Sequence, residues 1–121
     1  MDGAVKRASI YGIVKAGRTN FLDGTFDVGP LFEGGVHFYE PGEVSHAGEE
    51  RHVHEDHYEI FVGLQGKGKI EVEGESYPFG VGDVYLVEPG ESHHVTADKE
   101  DPVALVWLGA RRPGRQKSGR A

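Results

Sequence analysis

The chain contains no cysteine. Disulfides, thiolate metal sites and cysteine nucleophiles are therefore excluded, and a metal, if there is one, must be held by nitrogen and oxygen donors. No apolar run approaches the roughly 20 residues that a membrane helix needs. The first residues, Met1-Asp2-Gly3-Ala4-Val5-Lys6-Arg7, lack the apolar stretch of a secretory signal. The expectation is a cytoplasmic protein with no membrane partner. Helical periodicity is missing as well, since no long stretch repeats its apolar residues at a spacing of three to four. Positive charge is scarce in the body of the chain. Of 13 Lys and Arg, five (Arg111, Arg112, Arg115, Lys117, Arg120) fall in residues 111–121, so the first 110 residues carry 8 basic against 20 acidic side chains, a balance of −12. An acidic body argues against nucleic acid as a partner. The basic end, broken by Pro113-Gly114 and without apolar residues to dock it, reads as a disordered tail.

What is present fits one small domain. The 121 residues suffice for a core without disulfides. Nineteen glycines punctuate short apolar runs, the pattern of an all-β sandwich or barrel. Expected strands are Ser9–Lys15 as an N-terminal edge, Gly34–Tyr39, Arg51–His54, Tyr58–Leu64, Lys69–Val72, Ser76–Phe79, Val84–Val87, His93–Thr96 and Val103–Leu108. Gln65-Gly66-Lys67-Gly68 and Glu73-Gly74-Glu75 read as turns, and residues 16–31 as loop. The expected organisation is an N-terminal strand and loop region over residues 1–33 packing on a barrel core of 34–110, followed by the tail at 111–121.

Chemistry concentrates in Arg51-His52-Val53-His54-Glu55-Asp56-His57-Tyr58-Glu59. Imidazole and carboxylate together suit a borderline divalent ion. His52 and His54, two apart, point to one side of a strand, their Cα atoms ~6.6 Å apart; on a helix they would diverge. Glu59, at an odd offset from His54, joins them only if the chain turns at Glu55-Asp56-His57-Tyr58. The helical zinc-protease pattern is absent, because Tyr58 stands where its second histidine belongs. After Glu59, both faces of the strand are apolar: Phe61 and Gly63 on its own side, Ile60, Val62 and Leu64 on the other. One side would line an interior. The other needs a cover, which a second subunit would supply as a homodimer. Of the adjacent pair His93-His94, only one can face that interior. His57 reads as a solvent-exposed turn residue; its other roles are to compete with Glu59 as a ligand or to hydrogen-bond a ligand. His37 lies on a strand ahead of the site and has no spacing argument. Tyr39, Phe61, Tyr85 and Trp107 are core or pocket wall.

Two stretches resemble the motifs of the cupins. His52-Val53-His54, four residues, Glu59, six residues and Gly66 are similar to the first. Gly82, five residues, Gly90, two residues and His93 are similar to the second. The opening glycine of the first motif is replaced by His46. The proline of the second is one place late at Pro89, and its closing asparagine is Ala97. The resemblance implies an all-β, single-domain cupin jelly-roll barrel holding one divalent ion (Fe, Mn, Zn or Ni) through His52, His54, Glu59 and His93. Three imidazoles and one carboxylate would leave an octahedral ion open for a small-molecule substrate. The expected function is a metal-dependent enzyme of dioxygenase, isomerase, lyase or decarboxylase type. The alternative is a non-catalytic, metal-dependent binding or sensor module. A weaker third reading is a metal-free barrel that binds a sugar or anion directly.

Overall fold

The computed structural model describes residues 6–17, 26–44 and 55–113. Seven strands and one short helix follow in order: β1 (Lys6–Ser9), α1 (Ile10–Lys15), β2 (Leu31–Tyr39), β3 (Tyr58–Val72), β4 (Glu75–Gly80), β5 (Asp83–Val87), β6 (His93–Ala97) and β7 (Val103–Ala110). One side of the barrel runs β1-β5-β3-β7-β2; β4 and β6 flank the second half of β3 on the other side. Every pairing among the described strands is antiparallel. The fold is the expected all-β barrel.

β3 differs from expectation in a way that makes the barrel. Gln65-Gly66-Lys67-Gly68 is not a hairpin turn; the strand runs unbroken through it for 15 residues. Its first half pairs with β5 and β7 and its second with β4 and β6. The switch occurs at a register shift between Gly63 and Gln65. Gly66 adopts φ 74°, and a Cβ there would overlap the Pro102 carbonyl. A glycine-rich bend in a strand and a glycine-rich turn look alike in sequence, since both need positive φ and close backbone approach.

The N-terminal edge also differs. Only Ser9 of the Ser9–Lys15 stretch is in a strand; Ile10–Lys15 is helical. The Ser9 hydroxyl caps it by accepting the Gly12 N–H. The β-rich composition of Ile10-Tyr11-Gly12-Ile13-Val14 yields to that cap. β1 does lie at the sheet's end, beside β5.

Two apolar clusters lie on the two faces of β3. The inner one gathers Phe61, Ile70, Val72, Phe79, Tyr85, Val87, Val95, Val103 and Leu105, with Tyr39, Tyr77 and Trp107 packed against it. The outer one gathers Ile60, Val62, Val84 and Leu86 under Phe26, with Val28 beside it. The chain therefore covers most of its own outer face, and no second subunit is needed to bury Ile60 or Val62. Burying Phe26, 4% exposed, stabilises the cover by about 2–3 kcal/mol. Leu64, expected to be buried with them, is 50% exposed because it sits in the register shift. Arg111, at the start of the expected tail, is held by the backbone: its N–H donates to Pro30 O, and Gly29 N–H donates to Arg111 O. Among the described residues no helix is long and apolar enough to cross a membrane.

Candidate metal centre

Glu59 and His93 start from separate strands and meet inside the barrel. Glu59 lies near the beginning of β3, opposite Val87 of β5 and Gly109 of β7. His93 begins β6, opposite Val72. Glu59 Oε1 is 3.1 Å from His93 Nε2. Glu59 is 8% exposed and His93 2%. Of the adjacent histidines, His93 is thus the one buried inside, while His94 is half-buried across from Glu71. Two of the four expected ligands are brought together; His52 and His54, with the expected strand Arg51–His54, lie outside the described residues.

The loop ahead of β6 holds His93 in place. The Glu91 carboxylate accepts the Glu88 N–H, and the Glu73 carboxylate accepts the Ser92 N–H at 2.6 Å. Glu73 N–H donates to Ser92 O in return. Burial pushes the Glu91 carboxyl above its ordinary range. The Phe61 ring packs 5.7 Å from the His93 ring and keeps that side apolar.

His57 is not the exposed bystander expected of a polar turn. Its side chain is 11% exposed, and its Nε2 is 4.0 Å from Glu59 Oε2. Its Nδ1 is 2.8 Å from Asp56 Oδ1, a contact that holds the Asp56 carboxyl below its ordinary range. Phe32 packs edge-on against it, 5.1 Å away. The sequence could not reveal this, because Phe32 arrives from β2 through a register shift between Leu31 and Glu33. That shift lays the Phe32 ring over Gly109, where a Cβ would come within 3.1 Å of it. Arg111 lies over the Phe32 ring, its Cζ 4.0 Å from the ring centre.

Both ring nitrogens of His93 face oxygens: Nδ1 lies 3.2 Å from the Glu91 carbonyl and Nε2 3.1 Å from Glu59 Oε1. His57 is placed in the same way between Asp56 Oδ1 and Glu59 Oε2. A neutral imidazole carries one N–H, so at most one of each ring's two contacts is a donated hydrogen bond. The donor set of imidazole and carboxylate suits a borderline divalent ion. Among the described residues alone, no three His, Asp or Glu side chains are gathered closely enough to hold an ion.

A family model described as the cupin domain matches residues 35–109. Among curated proteins, the chain is 37% identical over 62 residues to an L-ectoine synthase of Aliivibrio fischeri, covering 48% of each chain. It is 32% identical over 63 residues to an L-ectoine synthase of Vibrio campbellii, covering 50% of this chain and 49% of that one. The chain thus spans about half the length of the curated relatives it matches. Among solved structures, a cupin protein from Bacteroides fragilis superposes with a TM-score of 0.62 at 17% identity, over 100% of this chain and 82% of that one. At that identity the likeness is one of fold.

Proposed function

The chain belongs to the cupin family, and from that premise we propose that it is a divalent-metal-binding cupin whose ion is held by His52, His54, Glu59 and His93, and that it acts as an enzyme on a small oxygen-rich molecule. The observation that carries the reading is the Glu59–His93 contact, in which Nε2 of a 2% exposed imidazole lies 3.1 Å from a carboxylate oxygen. Both residues stand at the positions the two motifs assign to ligands. The bound ion would supply an electrophile for two substrate oxygens. The chain's own part is to fix His93 through Glu91, orient His57 through Asp56 and keep the inner wall apolar with Phe61 and Trp107. The matched curated relatives bear an enzyme's name, which favours catalysis over passive binding; they share only about half their length with this chain, so their reaction is not carried over.

The test is elemental analysis after reconstitution with Fe²⁺, Mn²⁺, Ni²⁺ and Zn²⁺ in turn. About one ion per chain for at least one metal is expected. A content below about 0.1 for all four sinks the reading, since pre-arranged ligands retain at least one of them.

A further inference from the structure

Gly35, His37 and Tyr39 occupy alternate positions of β2 and so share one side of it. Gly35 is opposite Trp107 of β7, and Trp107 is opposite Phe61 of β3. That side is therefore the inner wall, the same that carries Glu59. The space a side chain at residue 35 would fill is taken by the Trp107 indole: a Cβ on Gly35 would lie 2.9 Å from its Nε1. Three rings consequently stand in file along β2. The His37 ring is 6.4 Å from Trp107 at an interplanar angle of 24°, and 5.5 Å from Tyr39 at 25°. Stacking on both sides fixes the imidazole plane and leaves its nitrogen-bearing edge to make contacts. Tyr39 and Trp107 are half-buried against the inner cluster, whereas His37 is exposed. A polar edge held open on an apolar wall is the arrangement of a ligand-orienting group.

We propose that His37 is a ligand-contacting residue, hydrogen-bonding the far end of an oxygen-rich ligand whose near end is chelated at the Glu59–His93 centre; this rests on the metal-binding reading. The register gives the scale. Glu59 and His37 pair with Gly109 and Leu105, positions about 13 Å apart along β7. The ligand is accordingly a chain of several atoms, such as a sugar acid, and not a diatomic or a two-carbon acid.

Gluconate and glycolate present the same α-hydroxycarboxylate chelate, but only gluconate has a tail to reach His37. Both are titrated calorimetrically into the full-length Mn²⁺-loaded protein, its His37→Phe variant and its His37→Gln variant. His37→Phe keeps a ring in the file and removes both nitrogens, so a purely structural stacking role would be unaffected. The wild type is expected to bind gluconate about tenfold more tightly than glycolate, the worth of one or two good hydrogen bonds. His37→Phe loses that preference with metal content and glycolate affinity unchanged, and His37→Gln restores part of it. A metal-loaded wild type that does not prefer gluconate, or a His37→Phe variant that still does, overturns the proposal and leaves the metal reading intact. Loss of metal in His37→Phe also overturns it, by making His37 a ligand to the ion. A wild type that takes up no metal, read separately by elemental analysis, overturns both.

Discussion

Glu59 and His93 touch across the barrel although the residue paired with His93 is Val72, at the opposite end of Glu59's own strand. Thirteen residues of straight strand would set Glu59 and Val72 ~43 Å apart. The bend between Gly63 and Gly66 turns that length back on itself, so one strand supplies one member of the contact from one end and positions the other through its other end.

The two residues and their neighbour His57 are expected to respond differently to substitution. His93→Ala removes one of the four proposed donors, and metal content after dialysis should fall from about one to below about 0.1 per chain. His57→Phe preserves the ring against Phe32 but loses the Asp56-oriented nitrogen. Stoichiometry at saturating metal should persist while affinity weakens about 10- to 100-fold, the usual effect of losing an orienting partner. Competition with a chromophoric chelator measures both. Equal losses in the two variants would make His57 a ligand in its own right.

The bend itself can be tested with a matched pair of glycines. Gly66 and Gly74 have nearly the same backbone, φ 74° and 83°. A Cβ at Gly74 meets nothing within 4 Å, while one at Gly66 overlaps the Pro102 carbonyl. Gly74→Ala should cost only the left-handed penalty, about 1–2 kcal/mol. Gly66→Ala should cost more than about 3 kcal/mol and weaken metal retention as well, because the bend sets the distance between Glu59 and His93. Denaturant midpoints with unchanged slopes give the comparison; equal costs would show that the bend does not depend on this contact.

Much of this was legible in the sequence because it depends on local alternation. Glu59 and Phe61 on one side and Ile60 and Val62 on the other follow from the period of two, as does the limit of one inward residue in the pair His93-His94; that it is His93 follows from the resemblance to the second cupin motif. What escaped depends on contacts distant in sequence or on backbone that composition cannot distinguish. Ile10–Lys15 has β-rich residues but is capped into a helix by Ser9. Gly66 reads as a turn and acts as a bend. His57 reads as exposed because Phe32, which covers it, is 25 residues away and reoriented by a register shift. The outer face of β3 reads as needing a second subunit because nothing in residues 16–31 announces that Phe26 folds over it.

A homodimer remains the expected state, now on different grounds. Val36 and Phe38 of β2 are 70% and 53% exposed, and their register with Val106 and Ala104 sets them on the outer side of the sheet. Exposed apolar side chains on the outer side of an edge strand favour a second copy. Light scattering at micromolar concentration should give twice the chain mass. Val36→Lys with Phe38→Lys should give the monomer with metal content unchanged, since neither residue faces the inner wall. A wild-type monomer refutes the expectation.

Tyr85 links the fold to pH. It is 1% exposed, and its hydroxyl donates to the Pro78 carbonyl while accepting from Arg7. Burial raises its pKa above the ordinary 10.0, outweighing the opposing effect of Arg7. The native state therefore retains the phenolic proton at pH values where the unfolded chain has lost it. The stabilisation from this group is complete below the unfolded pKa of about 10 and is lost as pH rises through the higher folded value. Wild-type stability should thus fall as pH rises above about 10 by an amount absent from Tyr85→Phe, which has no proton to lose. At neutral pH the same variant should be about 1–3 kcal/mol less stable, because the Pro78 carbonyl loses its donor. Urea titrations at pH 7 and across the alkaline range measure both effects. Parallel alkaline losses in the two proteins would assign the pH dependence to other groups.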